Sequence, residues 1–341
     1  MKKTFPLVSI IISNYNGVKL NILRDCLESF RHIDYPNYEL ILVDNASTDK
    51  SLKVAKKILG KNPKFKIIKN PVNMYSQGLD LGFSAARGEY IAYFNNDLAI
   101  EKRYFHKLIE AFNKYSRLAL VQGKLLWYFD HQIIDSAGET MDIFGNPVTI
   151  GNKIKDDGQF DRNEEILSAS GSACMLKRSI FKDIGQYDPY YGIGYEDMDL
   201  ALRLRYKGFI VMRIPSAICY HKRGTTDLSA MVRIRVKWHF NKNRLATMIK
   251  NYPLSTLLEA LPVTLFIYMG IMIYDAFVKR NLDLSLTRPS SVFWVLKNLP
   301  RIIEERRKIR KDANFSGDRK TFSLFASPNL FQKFSALILQ K

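Results

Sequence analysis

Leu7-Val8-Ser9-Ile10-Ile11-Ile12-Ser13-Asn14-Tyr15-Asn16-Gly17 runs from an apolar stretch straight into a polar turn. A short β-branched run closed by Asn and Gly reads as a buried strand with a loop at its carboxyl end. The basic Met1-Lys2-Lys3 ahead of it imitates a secretory leader, but the apolar run is too short and no small-residue cleavage site follows. Outward from this stretch the rhythm continues: helix-like Val18 to Phe30, apolar Glu39 to Val43, helix-like Asp49 to Leu59, apolar Phe65 to Ile68, helix-like Ser76 to Ala86, apolar Tyr90 to Phe94. Such alternation predicts an α/β fold with a mainly parallel, doubly wound sheet. Sheets of this kind bind ligands beyond the carboxyl ends of their strands. The polar clusters lie there: Ser13 to Gly17, Asp44-Asn45-Ala46-Ser47-Thr48-Asp49, and Asn95-Asn96-Asp97. Three strand ends are expected to converge on one crevice.

Leu118 to Ser168 is looser, with short apolar runs and polar turns suited to shaping a pocket. Order returns at Gly171-Ser172-Ala173-Cys174-Met175-Leu176 and a helix-like Arg178 to Ile184. Gly192-Ile193-Gly194 then leads into Glu196-Asp197-Met198-Asp199-Leu200-Ala201-Leu202-Arg203, whose apolar spacing is helical. Acids therefore crowd a helix N-terminus.

A 341-residue chain that is 47% apolar has a real core, enough for one large α/β unit and a smaller appendage, which excludes a disordered protein. The three cysteines are far apart and lack any CxxC spacing, so neither a zinc site nor a disulfide framework is indicated, and a reducing compartment fits. The net charge of +19 is uneven: Met231 to Lys341 holds 20 Lys plus Arg against 7 Asp plus Glu (+13), and the first 230 residues hold 32 against 26 (+6). Nucleic acid and anionic lipid both attract such a surface. These cations flank an apolar segment instead of interleaving with stacking aromatics on a compact fold, which argues against nucleic acid. Leu254 to Val278 is apolar apart from Glu259, Pro262 and Asp275; its uncharged part, Ala260 to Tyr274, would span about 22 Å as a helix, less than the ~30 Å hydrocarbon core. It is expected to lie in the membrane interface or re-enter, with Lys279, Arg280 and the run Arg301 to Lys311 on anionic headgroups. The expected division is an α/β unit over residues 1–250 and a basic, apolar helical region over 251–341, whose Phe-rich tail runs from Phe322 to Leu339.

Four positions carry candidate chemistry. Asp97 ends an apolar strand, where a carboxylate can hold a divalent cation against a diphosphate; it could equally cap a helix beginning near Glu101. Asp44 and Asn45 stand where a nucleobase or ribose would be bonded, while Asp49 suits a helix cap. Glu196 and Asp197 offer a carboxylate to deprotonate a hydroxyl, with Asp199 assigned to an i,i+4 pair with Arg203. His221 follows the apparent strand end at Ile218, and Lys222, Arg223 and Gly224 beside it suggest an anion-facing loop, with His221 a metal or diphosphate ligand. His32, His106, His131 and His239 have no such setting.

Taken in order, Val8 to Gly17, Val43 to Asp49, Ala86 to Asp97, Gly194 to Leu200 and His221 strongly resemble family 2 glycosyltransferases, closest to their rhamnosyltransferase-like branch. The likeness covers roughly residues 5 to 250. It implies a GT-A fold, a catalytic domain over residues 1–250, and inverting transfer from a nucleoside-diphosphate sugar to a glycan or polyprenyl-diphosphate-linked acceptor at the cytoplasmic face of the membrane. It also implies Asp197 as base with Glu196 orienting the acceptor, and Mg²⁺ or Mn²⁺ on Asp97 and His221. The donor would lie along Tyr15, Asn16, Asp44, Asn45, Asn73, Asp80, Asn95, Asn96, Gly171 and Ser172, with Cys174 in the segment lining the sugar pocket. Two departures stand out: Asn95 replaces the first metal-motif acid, and Gly78-Leu79-Asp80 replaces an amide pair near the donor. By the same resemblance the basic helix Arg233 to Lys250, with Trp238, Asn243 and Arg244, would guide an anionic acceptor. A nucleotidyltransferase would instead need a glycine-rich basic loop after the first strand. A silent sugar-nucleotide binder has no use for both Asp97 and the Glu196-Asp197 pair.

Overall fold

The structure is a computed structural model that describes residues 5–223, 230–311 and 315–327. Its elements in chain order are β1 (Val8–Asn14), α1 (Ile22–Arg31), β2 (Tyr38–Asn45), α2 (Ser51–Leu59), β3 (Phe65–Asn70), α3 (Tyr75–Ala85), β4 (Tyr90–Asn95), β5 (Leu98–Ile100) and α4 (Tyr104–Lys114). These are followed by β6 (Leu118–Trp127), β7 (Ile134–Ser136), β8 (Glu139–Met141), β9 (Pro147–Thr149), β10 (Glu164–Glu165), β11 (Ala173–Lys177), α5 (Phe181–Ile184), α6 (Glu196–Tyr206) and β12 (Ile210–His221). The helices α7 (Ala230–Asn251), α8 (Leu254–Phe277), α9 (Leu282–Lys297), α10 (Leu299–Arg310) and α11 (Phe315–Phe322) close the chain.

The main sheet runs β10-β12-β6-β11-β4-β1-β2-β3. β1 pairs in parallel with β2 and β4, and β2 with β3, as the alternation predicts. Past β4 the sheet is mixed: β11 inserts antiparallel between β4 and β6, while β12 rejoins β6 in parallel. Along β1, Val8, Ile10 and Ile12 face a core with α1, α2 and α4, whereas Ile11 faces a core with α3 and α6. A strand buried on both faces reads as the continuous apolar run seen in the sequence.

On α3, a methyl group at Gly78 would lie 2.3 Å from Asn45 Oδ1, and one at Gly82 2.4 Å from Ile11. The absent side chains let this helix lie close on β1 and β2, which is a structural reason for Gly78. α6 is buried on two sides: Leu200, Ala201 and Leu204 face the sheet, and Met198, Leu202 and Tyr206 face α7 and the helices beyond it. That second core joins Met141, Phe144 and Leu167 to Leu245, Tyr252, Tyr268, Val295 and Ile302, and so draws on both sides of residue 250.

The helix expected near Glu101 is α4, which begins at Tyr104, too far along the chain for Asp97 to cap it. The short β5 follows Asp97, pairs with the end of β12, and places Leu98 opposite His221. Asp97 is thus a strand-junction residue and does not cap a helix. The apolar segment also differs from expectation, because α8 runs unbroken through Glu259, Pro262 and Asp275 for 24 residues, and an 18-residue stretch within it has a mean hydropathy of 1.8. Its length is about 36 Å at ~1.5 Å per residue. Glu259 is exposed, and Asp275 is neutralised by Arg288 of α9 at 2.6 Å, so neither acid ends the helix. It is long and apolar enough to cross a membrane, and most of its surface is not buried within the protein.

Candidate active site

The carboxyl ends of β1, β2 and β4 meet through a string of hydrogen bonds. Asn14 Nδ2 donates to Asp44 Oδ1 at 2.7 Å, and Asn96 Nδ2 donates to Asn14 Oδ1 at 2.7 Å. The backbone N–H of Asn95 donates to Ser172 O at 2.9 Å, which sets the Gly171-Ser172 turn against the end of β4. Gly171 N–H then donates to Asp197 Oδ2 at 3.0 Å, and Tyr75 OH donates to Gly171 O at 3.1 Å. Asp44, Asn95, Asn96, Gly171, Ser172 and Asp197 therefore belong to one connected crevice.

Within it Asp44 is 2% exposed; its carboxylate accepts from Asn14 and Ser47 Oγ. Asn16 Oδ1 takes the backbone N–H of Thr48 at 2.8 Å, and its own N–H donates to Ser47 Oγ, so the first two loops are laced together. Tyr15, 43% exposed, stands at the rim. Asp49 Oδ1 accepts from Ser51 N–H at 2.8 Å and so caps the start of α2, as the sequence indicates.

Other candidates are placed differently. Asn45 is 2% exposed and commits its amide to Ser13 and Asn70 beneath α3, a packing role. Asp80 lies on α3 beside Tyr93, where burial raises its pKa. Asn73 is exposed in the turn before α3. Cys174 is 2% exposed; its thiol packs in the core with Tyr93 and Tyr187, and burial pushes it up to about 12.

The acid pair stands at the first turn of α6. Tyr195 ahead of it is in the left-handed region (φ 71°), and Asn243 of α7 donates to the carbonyls of Tyr191, Ile193 and Gly194, fixing the loop that delivers it. Burial, and then the neighbouring Asp197, raise Glu196 to about 8, and its Oε2 is buried without a partner. Burial also raises Asp197, against the opposing N–H donors of Gly171 and Met198. Asp199 behaves as its spacing implies: it bonds Arg203 at 2.9 Å, and also Lys250 of α7 at 3.0 Å.

At the end of β12, His221 Nε2 is 3.2 Å from Asp97 Oδ2 and Nδ1 is 2.8 Å from Asp135 Oδ2. Burial lowers the imidazole pKa, but Asp135 and Asp97 outweigh it and hold the ring at about 9. Asp97 Oδ1 is buried with no partner. Among the described residues, no group of three or more His, Cys, Asp and Glu is arranged to hold a metal. An orphaned carboxylate oxygen beside an imidazole nitrogen does fit a hard cation that takes its remaining ligands from a diphosphate and water, as Mg²⁺ commonly does.

Two expectations about cations change. Lys222 is 4% exposed and pairs with Asp25, and Arg223 pairs with Asp135 at 2.6 Å, so Lys222 does not face an anion; Gly224 lies outside the described residues. Asn243, Arg244 and Lys250 of the basic helix are buried: Arg244 bonds Phe144 O and stacks on Tyr268, and Lys250 bridges Asp188 and Asp199. The apolar contacts of α7 turn that face inward, so those residues pack within the fold. Sequence reasoning missed Asp135 and Glu139. Glu139 bonds Thr149 at 2.9 Å and is raised to about 8 by burial and by Asp197. Both sit in the loosely patterned stretch, where no periodicity marks them.

A family model described as glycosyl transferase family 2 matches residues 9–185. The chain belongs to glycosyl transferase family 2. It is 25% identical over 236 residues to the poly-β-1,6-N-acetyl-D-glucosamine synthase of Staphylococcus epidermidis, covering 68% of this chain and 53% of that one. The chain spans about half or less of the length of the curated relatives it matches first. Two solved structures share its fold. GalNAc-T7 with UDP, GalNAc and Mn²⁺ superposes with a TM-score of 0.59 at 16% identity over 73% of this chain and 48% of that one. A mannosyltransferase from Pyrobaculum calidifontis in complex with GDP-Man and Mn²⁺ gives 0.53 at 14% identity, over 94% and 84%. The fold of this family 2 glycosyltransferase is GT-A.

Proposed function

We propose that this protein is an inverting glycosyltransferase that moves a sugar from a nucleoside diphosphate to a glycan or polyprenyl-diphosphate-linked acceptor during cell-surface polysaccharide assembly. The observation that carries the reading is Asp197, a partly buried carboxylate of raised pKa tied through Gly171 to the strand-end crevice. Asp197 takes the proton of an acceptor hydroxyl, and that oxygen bonds to the anomeric carbon from the face opposite the diphosphate as the diphosphate departs. Glu196 orients the acceptor. Asp44, the Tyr15-Asn16 loop, Asn95, Asn96, Gly171 and Ser172 hold the donor. Asp97 and His221 would hold Mg²⁺ or Mn²⁺, which neutralises charge on a departing phosphate. UDP, GDP and the N-acetylglucosamine polymer named for the similar proteins make uridine and guanosine diphosphates the first donors to test, and the rhamnosyltransferase-like branch adds deoxythymidine diphosphate.

We also assign residues 251–341 to the cytoplasmic membrane surface. Leu258, Phe266 and Phe277 of α8 and Leu286, Phe293 and Leu296 of α9 are each more than half exposed, on the part of the chain with the +13 charge excess. Apolar side chains flanked by cations suit an anionic interface. In the full chain, Phe266→Asp with Phe293→Asp should cut sedimentation with anionic vesicles at least tenfold; undiminished sedimentation removes this face from the assignment.

The test of the donor site is thermal shift with UDP, GDP and dTDP, each with and without Mn²⁺. Stabilisation by one of them that requires Mn²⁺ and disappears in Asp97→Ala supports the reading. Indifference to all three defeats it.

A further inference from the structure

Asp135, on β7, is 0% exposed and divides its carboxylate between two partners: Oδ2 lies 2.8 Å from His221 Nδ1, and Oδ1 pairs with Arg223 Nε at 2.6 Å. On its other edge the imidazole turns Nε2 toward Asp97, at 3.2 Å. The ring is thus held between two acids, one at the crevice and one behind it. Neutral imidazole presents a lone pair on one nitrogen only when the other carries the proton. A buried carboxylate on the Nδ1 side favours the proton there, so Nε2, beside Asp97, is the nitrogen that exchanges its proton for a cation. The backbone fixes the arrangement, since β6 pairs with both β7 and the end of β12, and Asn152 Nδ2 donates to Asp135 O at 2.8 Å.

We propose that Asp135 is a positioning residue that holds His221 in its Nδ1–H form and presents Nε2, beside Asp97, to a divalent cation shared with the donor diphosphate. The inference rests on the metal reading above and adds to it the group that orients the ligand. A carboxylate that merely clasped Arg223 to β7 would matter to folding and leave cation affinity untouched.

Mn²⁺ affinity in the presence of UDP or GDP, read from the electron paramagnetic resonance of free Mn²⁺, separates the two roles in the full-length protein. Asp135→Asn keeps the shape, removes the charge, and can donate to Nδ1 so that the proton moves to Nε2. The expected result is a loss of Mn²⁺ affinity of about 10- to 100-fold, with the metal-free melting temperature shifted by only a few degrees. An unchanged Mn²⁺ affinity in the folded variant overturns the proposal. If Asp135→Asn does not fold, ¹⁵N resonances of His221 in the wild-type Mg²⁺ complex decide: protonated Nδ1 supports it, and protonated Nε2 overturns it. A wild type that takes up no Mn²⁺ with either nucleotide defeats the metal reading itself, an outcome distinct from binding that Asp135→Asn leaves intact.

Discussion

At the amino ends of β1 and β2, Glu39 is a buried carboxylate with every bond made: it accepts from Ser9 Oγ at 2.7 Å, from Arg87 N–H at 2.7 Å, and from the Arg87 guanidinium at 3.0 and 3.1 Å. The cluster is so tight that a methyl group on Gly88 would stand 2.6 Å from the Ser9 nitrogen. At the carboxyl ends of the same sheet, Asp97 Oδ1 and Glu196 Oε2 are buried without partners. Burial pushes the pKa of both Glu39 and Glu196 upward, but at Glu39 the donors outweigh it and the net shift is downward, whereas Glu196 is left at about 8. One end of the sheet spends its polar groups on stability. The other holds them in reserve at a cost, as expected where a ligand supplies the missing bonds.

The contrast can be broken by experiment. The largest effect is expected at Asp197: Asp197→Asn should lower turnover about 10²- to 10⁴-fold, the usual worth of a general base, with nucleoside diphosphate affinity nearly unchanged. Loss of nucleotide binding instead would make Asp197 a ligand residue. Next is Glu39→Gln, which should destabilise the protein by about 1–3 kcal/mol, because charge-assisted bonds to buried donors are lost, and should leave the Michaelis constant for donor alone. In denaturant titrations, a variant as stable as wild type would contradict the assignment of that cluster to stability.

A third test is the pH dependence at Glu196. Its folded pKa is raised from 4.5 to about 8, so between those values the folded state binds more protons than the unfolded state, and stability falls as pH rises. The Glu196 contribution is fully present below about 4.5 and is lost through about 8. Glu196→Gln, which stays neutral, should therefore gain in melting temperature relative to wild type as pH climbs through that window. A constant difference across it would show that Glu196 is not held protonated.

The part of the fold up to β4 was readable in the sequence, because strands buried on both faces and amphipathic helices imprint distinct periods on the chain. It was less informative past β4. β11 enters antiparallel there, and strands as short as β8 and β9 are set by tertiary pairing that leaves no period in so few residues. Among site residues, those at strand ends were legible because a polar cluster after an apolar run has a fixed place in a parallel sheet. Asn45 shows the limit of that reasoning, since successive residues at a strand end point to opposite faces. Asp44 reaches the crevice and Asn45 packs beneath α3. Burial of the α7 cations was equally hidden, because charge alone does not reveal that Lys250 meets two acids.

Lys250 joins Asp188, in the loop that leads to the acid pair, to Asp199, one turn into α6, while Arg301 of α10 reaches Asp188 at 3.1 Å. The helical layer and α6 are consequently fastened by shared charges as well as by shared core. Peeling the layer away would strand ionised groups in a low-dielectric interior, so local opening of one is energetically the opening of both. In hydrogen exchange the amides of α6, α7 and α10 should open as a single cooperative unit.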